Sequence, residues 1–283
     1  MKLLKKILKI TGIVVVLLLV GLYGLFVNFS STKSDTEVLE DFEDAMVQPV
    51  ISHETFNGYS YRKLSIVKDT TLTTLVFIHG TIGSCLDFKR YMSDSLLLSK
   101  VNMISYDRIG YNFEEKNPVQ ESIAFEAALL QDLTKQLKME KTILVGYSYG
   151  GPIALAAKDN YQKIILLAPA VYSKIEPMPW MLNFYKWKLT RWLVPSIWKE
   201  ASKEKMSHQQ DLRKFENNWK QNTTAIVSIH GDSDGIVPYK NSLFLEKQFP
   251  KEQFTLVTLK EAGHGLVWSR FEEIKSEIIN QLH

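Results

Sequence analysis

The apolar residues of this chain form one long N-terminal run, followed by a series of short runs. The long run follows Lys9 and contains no charged residue from Ile10 to Thr32. At about 1.5 Å per residue, a helix of this length spans roughly 34 Å, and the hydrocarbon core of a bilayer is about 30 Å thick. We therefore predict a cytoplasmic segment over residues 1–9 and a transmembrane anchor over residues 10–29.

A cleavable signal peptide is the alternative interpretation of this run. The apolar part of a signal peptide is usually only about 7–15 residues long and ends at small residues before the cleavage site. The run here is longer, and "LFVNFSS" (25–31) lacks small residues at the −3 and −1 positions. The pattern therefore favours an uncleaved signal-anchor.

The charges that flank the anchor predict its orientation. Basic residues precede it and acidic residues follow it: Lys2, Lys5, Lys6 and Lys9, then Asp35, Glu37, Glu40, Asp41, Glu43 and Asp44. Lysine and arginine residues stay on the cytoplasmic side of a membrane. We therefore expect a single-pass protein of the cell membrane, with its N-terminus in the cytoplasm and the rest of the chain outside it.

Residues 30–55 form a polar, acidic stretch that we interpret as a stalk. Four apolar positions give it a stripe compatible with partial helix: Val38, Leu39, Phe42 and Met46.

Strand-like and helix-like runs alternate after the stalk. The β-rich runs are residues 59–67, 73–80, 101–107, 141–148, 163–170, 224–231 and 254–260. Residues 118–139 and 270–282 have the apolar spacing of amphipathic helices. Near-continuous Val, Ile and Leu is typical of strands that are buried on both faces of a parallel sheet. The pattern predicts a doubly wound α/β domain with a mostly parallel sheet, whose functional residues follow the C-terminal ends of the strands.

Residues 172–222 interrupt this alternation, because they contain no convincing strand. Five of the six tryptophans lie here: Trp180, Trp187, Trp192, Trp198 and Trp219. We predict a helical cap, inserted between a first core part (56–171) and a second core part (223–283). Its aromatic side chains either hold the cap to the body or contact substrate. Residues 172–221 also carry ten Lys or Arg against five acidic residues, so the cap could rest on anionic headgroups.

Composition adds few constraints to this interpretation. The 283 residues are 45% apolar and suit one large α/β domain, and a net charge of +3 does not indicate a nucleic-acid partner. The single cysteine, Cys85, excludes an internal disulfide and provides no metal-binding cluster.

The candidate chemistry begins at "GYSYGGP" (146–152), directly after the strand-like run "TILV". A surface turn is one interpretation. The other is a sharp strand-to-helix turn that holds out the hydroxyl of Ser148, which then needs a base and an acid to orient that base. Both follow at later predicted strand ends, in "DSDGIVP" (232–238) and "GHG" (263–265).

Together these motifs resemble those of the α/β-hydrolase superfamily, over roughly residues 55 to 283. The matching segments are "HGTIGS" (79–84), "YDRIGY" (106–111), "GYSYGG" (146–151), "GDSDGIVP" (231–238) and "GHG" (263–265). One position departs from the family pattern, because Asn112 stands where the D-R-x-G-x-G loop has its second glycine. The resemblance implies a serine esterase or lipase-like enzyme that needs no cofactor and no metal.

The resemblance also implies the roles of individual residues. Ser148 stands at the nucleophile position, His264 at the base and Asp234 at the acid. The backbone N–H groups of Thr81 and Tyr149 would form the oxyanion hole.

Other residues offer weaker alternatives for these roles. Asp232 competes with Asp234 but is more typical of a turn-capping residue, and His283 follows the acid but lies at the chain terminus. We expect His79 to brace its loop, His230 to be a strand-end residue and Cys85 to be a small structural residue.

The sequence therefore predicts a membrane-anchored serine hydrolase that cleaves a small-molecule or lipid ester through an acyl-enzyme on Ser148. A serine at this position argues against the haloalkane dehalogenase and epoxide hydrolase branches, which use a carboxylate. Amide hydrolysis, C–C bond hydrolysis and acyl transfer to another acceptor need the same three side chains and stay open. A catalytically silent, membrane-tethered binding module is the alternative from another class. The residues do not specify the ester or the oligomeric state.

Overall fold

The sheet at the centre of the molecule has eight strands. The computed structural model describes residues 2–111 and 117–282. The strands are β1 (Val50–Phe56), β2 (Tyr59–Ile66), β3 (Thr73–Ile78), β4 (Val101–Tyr106), β5 (Thr142–Tyr147), β6 (Lys163–Leu167), β7 (Ile226–Gly231) and β8 (Phe254–Leu259).

The strands lie in the order β1-β2-β4-β3-β5-β6-β7-β8. Strand β2 pairs antiparallel with both β1 and β4, and every pairing from β4 to β8 is parallel. The predicted doubly wound, mostly parallel sheet is therefore confirmed, with an antiparallel hairpin at one edge.

The helices connect and flank these strands. They are α1 (Lys2–Phe29), α2 (Asp35–Glu40), α3 (Lys89–Met92), α4 (Ser95–Lys100), α5 (Ile123–Thr134), α6 (Gly150–Ala156), α7 (Leu182–Lys186), α8 (Ser196–Phe215), α9 (Lys240–Glu246), α10 (Leu266–Ser269) and α11 (Phe271–Asn280). Short 3₁₀ helices cover Cys85–Phe88, Met139–Lys141, Ser173–Ile175, Arg191–Leu193 and Trp219–Gln221.

The central strands are buried on both faces, which explains their continuous apolar sequence. Side chains alternate across a strand, and in β3 they enter two different cores. Leu75 and Phe77 pack in the core on one side of the sheet, whereas Val76 and Ile78 pack in the core on the other. The whole of β5 is buried, so the strand that ends directly before Ser148 is held from both sides.

Helix α1 contains a stretch from Leu3 to Asn28 with a mean hydropathy of 2.7 and no buried residue. It is long and apolar enough to cross a membrane, although a signal sequence near an N-terminus passes the same test. Just beyond α1, Ser30 Oγ accepts a hydrogen bond from Trp198 Nε1 at 2.9 Å. The N-terminal helix therefore ends in contact with residues 172–222, which we call the cap segment.

The stretch expected to be a stalk differs from that expectation, because part of it packs on the body. Val38 and Phe42 of the apolar stripe are fully buried, while Met46 is exposed. Strand β1 begins at Val50 and pairs with β2. The boundary expected at residue 55 therefore moves towards the N-terminus.

The helix expected over 118–139 is shorter than expected. Glu121 has a φ of +48°, a value that no helical residue adopts. Ser122 then caps α5, its hydroxyl accepting a hydrogen bond from the Phe125 N–H at 3.3 Å. The helix consequently begins at Ile123 and ends at Thr134.

The cap segment lies between β6 and β7 and contains no strand along its entire, fully described length. Its longest element is α8, whose buried residues include Glu204, His208 and Asp211. Trp219, near its end, is only 2% exposed and donates from Nε1 to the Val171 carbonyl at 3.1 Å. Of the two roles expected for the aromatic side chains, this tryptophan has the first, holding the segment to the body.

Candidate active site

Ser148 lies at the turn between β5 and α6 and has an unusual backbone conformation. Its φ is +53°, in the left-handed region that costs a residue with a Cβ about 1–3 kcal/mol. Three backbone hydrogen bonds hold it there: its N–H donates to Leu167 at 2.9 Å, and its carbonyl accepts from Gly151 at 3.0 Å and from Ala170 at 3.1 Å. The hydroxyl therefore stands out at the C-terminal edge of the sheet.

The two glycines around Ser148 are required by close backbone approach. A Cβ at Gly146 would lie 2.5 Å from the carbonyl oxygen of Gly150, and a Cβ at Gly150 would lie 2.2 Å from that of Ile78. Any larger residue would push α6 away from the sheet. The surface-turn interpretation accounts for neither contact.

His264 reaches Ser148 from the loop between β8 and α10. Its Nε2 lies 3.0 Å from Ser148 Oγ. The neighbouring Tyr147 fixes this loop in two ways, since its hydroxyl donates to the His264 carbonyl at 3.1 Å and its ring stacks on the imidazole at 5.1 Å between centroids. The histidine is therefore positioned by the residue that precedes the serine.

Asp234 lies on the other side of the imidazole, with Oδ2 2.8 Å from His264 Nδ1. Because a carboxylate only accepts, Nδ1 carries the hydrogen, and Nε2 is left to accept from the Ser148 hydroxyl. The other oxygen, Oδ1, accepts from the backbone N–H groups of Ile236 and Val237 at 2.8 Å each. Serine, histidine and aspartate thus form one continuous chain of hydrogen bonds.

The electrostatics favour an ionised Asp234. Burial by itself would raise the pKa of this carboxyl, but hydrogen bonds from His230 and His264, the charge of His264 and the Val237 N–H together hold the pKa well below its usual range. An ionised carboxylate here can stabilise an imidazolium.

His230 has a role that the sequence did not suggest. Its Nε2 donates to the Val237 carbonyl at 3.0 Å and lies 3.4 Å from Asp234 Oδ2, while Nδ1 contacts Ser242 Oγ at 2.7 Å. A carbonyl oxygen only accepts, so the hydrogen is on Nε2. Asp234 therefore lies between two histidines, and only His264 also contacts the serine.

The alternative residues lie elsewhere or outside the described chain. Asp232 is exposed, and its Oδ1 accepts from the Glu261 N–H at 2.7 Å, which organises the turn after β8. His283, the alternative base, and Asn112, the departure from the family's loop, both lie outside the described residues.

The loop after β3 lies directly against Ser148. A Cβ added at Gly80 would be 2.8 Å from Ser148 Cβ, so the next residue, Thr81, begins beside the serine. Among the hydrogen bonds of residues 2–111 and 117–282, none has the backbone N–H of Thr81 or Tyr149 as its donor. Both N–H groups are therefore available to a substrate oxygen.

His79 braces this loop, in agreement with the sequence. The imidazole is fully buried; its Nδ1 contacts the Gly80 carbonyl at 2.7 Å, and its Nε2 accepts from the Arg108 N–H at 2.9 Å. Burial, reinforced by the charge of Arg108, lowers its pKa well below the usual range. A neutral ring with both nitrogens occupied is a structural element, not a second base.

A buried ionic network joins the same loop to the cap segment, and sequence reasoning missed it. Arg108 is fully buried and pairs with Glu204 of α8. The Glu204 carboxylate also accepts from Tyr111 Oη at 2.8 Å and from Thr81 Oγ1 at 2.6 Å. Thr81, whose backbone N–H is a candidate oxyanion donor, is therefore held by a side chain of the cap segment.

Arg108 makes further contacts within this network, including a hydrogen bond from Nη1 to the Gly80 carbonyl at 3.3 Å. Its guanidinium lies 4.4 Å from the centre of the Tyr149 ring and 3.5 Å from Glu126. Arg108 consequently contacts Tyr149, the second candidate oxyanion residue. It also contacts Glu204, whose carboxylate holds Thr81, the first.

Cys85 is a buried structural residue, as the sequence indicated. Its N–H donates to Asp107 Oδ1 at 2.8 Å, and burial, with the charge of Asp107, raises the pKa of its thiol well above the usual value. A thiol that stays protonated is a poor nucleophile. In the described part of the chain, no three His, Cys, Asp or Glu side chains group as metal ligands.

The comparisons with known proteins agree with this architecture. The model of the α/β-hydrolase fold family matches residues 73–204. The hydrolase YugF of Bacillus subtilis strain 168 is 29% identical over 106 residues, which are 36% of this chain and 38% of that protein. The aligned part of the chain thus spans well under half the length of this curated relative.

Solved structures extend the similarity to most of the chain. An esterase from Exiguobacterium antarcticum superposes with a TM-score of 0.63 at 19% identity, covering 81% of this chain and 98% of that one. A membrane phospholipase A superposes with a TM-score of 0.63 at 16% identity, covering 97% and 98%. At such low identity these matches show the fold. The chain therefore has the α/β-hydrolase fold.

Proposed function

We propose that the protein is a membrane-anchored serine hydrolase that cleaves carboxylic esters. The observation that carries this proposal is the hydrogen-bonded chain Ser148–His264–Asp234, with distances of 3.0 and 2.8 Å. An activated serine needs a base within about 2.6–3.2 Å, itself oriented by a third group. Both contacts lie within that range.

In the first half-reaction, Ser148 Oγ attacks the acyl carbon while His264 Nε2 takes its proton. Negative charge moves to the acyl oxygen, which the backbone N–H groups of Thr81 and Tyr149 stabilise. Asp234 stabilises the imidazolium through Nδ1–H. The ester C–O bond then breaks, and His264 returns the proton to the leaving alkoxide, so an alcohol departs and an acyl-enzyme remains.

The second half-reaction repeats the first with water as the nucleophile. His264 Nε2 accepts a proton from water as its oxygen attacks the acyl carbon, and the same two N–H groups stabilise the oxyanion. The bond to Ser148 Oγ breaks, and His264 returns the proton to the serine. The products are one carboxylic acid and one alcohol per ester and water, and no other co-reactant is needed.

The names of similar proteins support an ester as the substrate. The fold is shared with an esterase and with a membrane phospholipase A, both ester-cleaving by name. We therefore place small-molecule and lipid esters first. Amide and C–C bond hydrolysis, and acyl transfer to an acceptor other than water, are the alternatives that product analysis distinguishes.

We also propose that α1 anchors the protein in the cell membrane, with the N-terminus in the cytoplasm and the α/β-hydrolase domain outside. The length and hydropathy of Leu3–Asn28 support the span, and the lysines before it support the orientation. Residues 50–171 and 223–283 would form the hydrolase core, with β1 included in its sheet, and the cap segment would be its lid.

The test of this function uses the full chain in detergent micelles, because residues beyond α1 pack on the body: the Lys33 carbonyl accepts from Arg62 at 2.8 Å. We would measure hydrolysis of p-nitrophenyl esters of increasing acyl length, the matching anilides and a diacyl phospholipid. The proposal predicts ester turnover in the unaltered chain and none above background in Ser148→Ala. Turnover of anilides but not esters, or turnover that survives in Ser148→Ala, would contradict it.

A further inference from the structure

One face of the cap segment is apolar and turned towards solvent. Six large side chains between residues 180 and 192 are exposed: Trp180, Met181, Phe184, Trp187, Leu189 and Trp192. Leu189 is 87% exposed and Trp192 is 71% exposed. These aromatic residues do not hold the segment to the body as Trp219 does; Trp180 and Phe184 contact each other at 5.6 Å between ring centres, and exposed apolar side chains clustered along one short segment mark an interaction surface.

The exposed face is a folded structure with local hydrogen bonds. Trp192 Nε1 donates to the Leu189 carbonyl at 2.9 Å, and Thr190 Oγ1 donates to the Phe184 carbonyl at 2.8 Å. Arg191 Nε donates to the Tyr185 carbonyl at 2.6 Å. These local hydrogen bonds to backbone carbonyls hold the segment in a defined conformation, in which its large apolar side chains and the side chains of Lys186 and Lys188 are exposed.

The face lies next to the end of the N-terminal helix. Tyr185 and Trp192 border a groove with Lys199, Glu200 and Lys203 of α8. Trp198, one residue before this part of α8, contacts the end of α1 through a ring distance of 5.5 Å to Phe26 and the hydrogen bond to Ser30. A membrane that contained α1 would therefore have its surface close to residues 180–192.

The charges of this face identify the surface it fits. Residues 177–193 contain Lys186, Lys188 and Arg191 and no acidic residue. Tryptophan is enriched at the headgroup level of membranes, and Lys or Arg residues near an anionic surface add electrostatic attraction to it. An acidic protein partner would match the charges but would not account for four exposed aromatic rings beside a membrane helix.

We propose that residues 180–192 dock on the anionic phospholipid surface of the bilayer that holds α1. The apolar side chains enter the headgroup region, and Lys186, Lys188 and Arg191 contact the lipid phosphates. The cap segment then has two attachments, through α8 to the body and through this face to the membrane. This inference rests on the anchor proposed above, and its test measures the insertion of α1 and the docking of residues 180–192 separately.

The test places an environment-sensitive NBD fluorophore on the full chain in lipid vesicles. Labels are attached through Leu189→Cys, Trp192→Cys and, as a control, Lys251→Cys. Lys251 is exposed and precedes β8, at the opposite edge of the sheet from the strand ends that carry the site. Cys85, the only native cysteine, is buried, so labelling is confined to the introduced position.

The proposal predicts that labels at positions 189 and 192 shift to the blue in vesicles of phosphatidylcholine with phosphatidylglycerol. Spin-labelled lipid should quench them several-fold more than the label at 251. Replacing both Lys186 and Lys188 with Glu should remove the effect of phosphatidylglycerol, as should high salt.

Equal quenching at all three positions would overturn the docking surface. A blue shift of the labels at 189 and 192 that depends on protein concentration and not on lipid would also overturn it, since that result would indicate contact between two copies of the chain. Carbonate extraction of the same vesicles reports the anchor independently: a chain that is extracted lacks an inserted α1, while the ratio of quenching at 189 to 251 still measures docking.

Discussion

The body and the cap segment contribute to the candidate site in different ways. The body supplies every group of the proposed chemistry, because Ser148, His264 and Asp234 all follow strands of the sheet. The cap segment supplies Glu204, which holds Thr81 and Arg108. Reactive groups thus come from strand ends fixed by a rigid sheet, and a positioning group comes from the inserted helix.

The cap segment also inverts the usual distribution of polarity. Its inward face on α8 carries buried polar residues, Glu204, His208 and Asp211, whereas Trp187 and Leu189 on its outward face are exposed. Globular domains normally bury apolar side chains and expose charged ones. The inversion is understandable if the inner residues serve the site and the outer ones meet a bilayer.

The largest expected effect on kcat distinguishes Asp234 from Asp232, the two candidates for the acid. In Asp234→Asn, the amide can donate to His264, which favours the wrong tautomer, and we expect kcat to fall by about 10⁴-fold. Asp232→Asn is the matched control, because the side chain of this exposed residue contacts the Glu261 N–H and the Ser233 hydroxyl and not His264, and the variant should leave kcat within about twofold of the unaltered chain. A comparable loss in Asp232→Asn would reassign the acid.

An intermediate effect is expected where the cap segment meets the body. Thr81→Val removes the hydrogen bond to Glu204 but keeps the backbone N–H, so we expect kcat to fall by about 10-fold, less than the 10²–10³-fold loss typical of a missing oxyanion donor. Ester KM should change little. Thr81→Ser keeps the hydroxyl and should retain kcat. If Thr81→Val and Thr81→Ser have the same kcat, the contact between Glu204 and Thr81 does not position the backbone N–H of Thr81.

The smallest effect concerns the stability of the buried network. Burial raises the pKa of Glu126 to about 7, with Arg108 opposing and Glu204 reinforcing the shift. The folded chain therefore binds more protons than the unfolded chain between about pH 4.5 and 7, so stability falls as pH rises through that range. Asp87, whose pKa burial also raises to about 7, acts in the same direction.

Thermal unfolding in detergent at pH 5 and pH 8 measures this contribution. Glu126→Gln cannot ionise, so its loss of Tm between the two pH values should be smaller than that of the unaltered chain. The full difference cannot exceed about 1.4 kcal/mol per unit of pKa shift. If Glu126→Gln and the unaltered chain lose the same amount of Tm between pH 5 and pH 8, Glu126 does not titrate in the folded protein.

The sequence predicted those parts of the molecule that depend on local pattern. Strands β2 to β8 were expected because each lies in a β-rich run, and Ser148, Asp234 and His264 were proposed because each stands in a short motif after a strand. Strand β1 was missed, since it is an exposed edge strand that reads "VISHETF" and has no buried residue. An edge strand with one side open to solvent carries a weak apolar signal.

The rest depends on contacts that no local pattern records. Glu204 and Arg108 are 96 residues apart, and nothing around Glu204 distinguishes it from Glu200 or the other charged residues of α8. "YDRIGY" drew attention to the arginine but not to its partner. Likewise, five tryptophans predicted a cap, but only the structure shows that Trp219 is buried while Trp180, Trp187 and Trp192 face outward.

The central claim is that Ser148 is an activated nucleophile, and covalent labelling tests it most directly. The full chain in detergent would be treated with a fluorophosphonate probe and the adduct located by peptide mass spectrometry, beside Ser148→Ala, His264→Ala and, as a control, Ser233→Ala at an exposed serine. We predict one adduct, on Ser148, that is lost in the first two variants and kept in the third. An adduct at another residue, or none in the folded chain, would contradict the account.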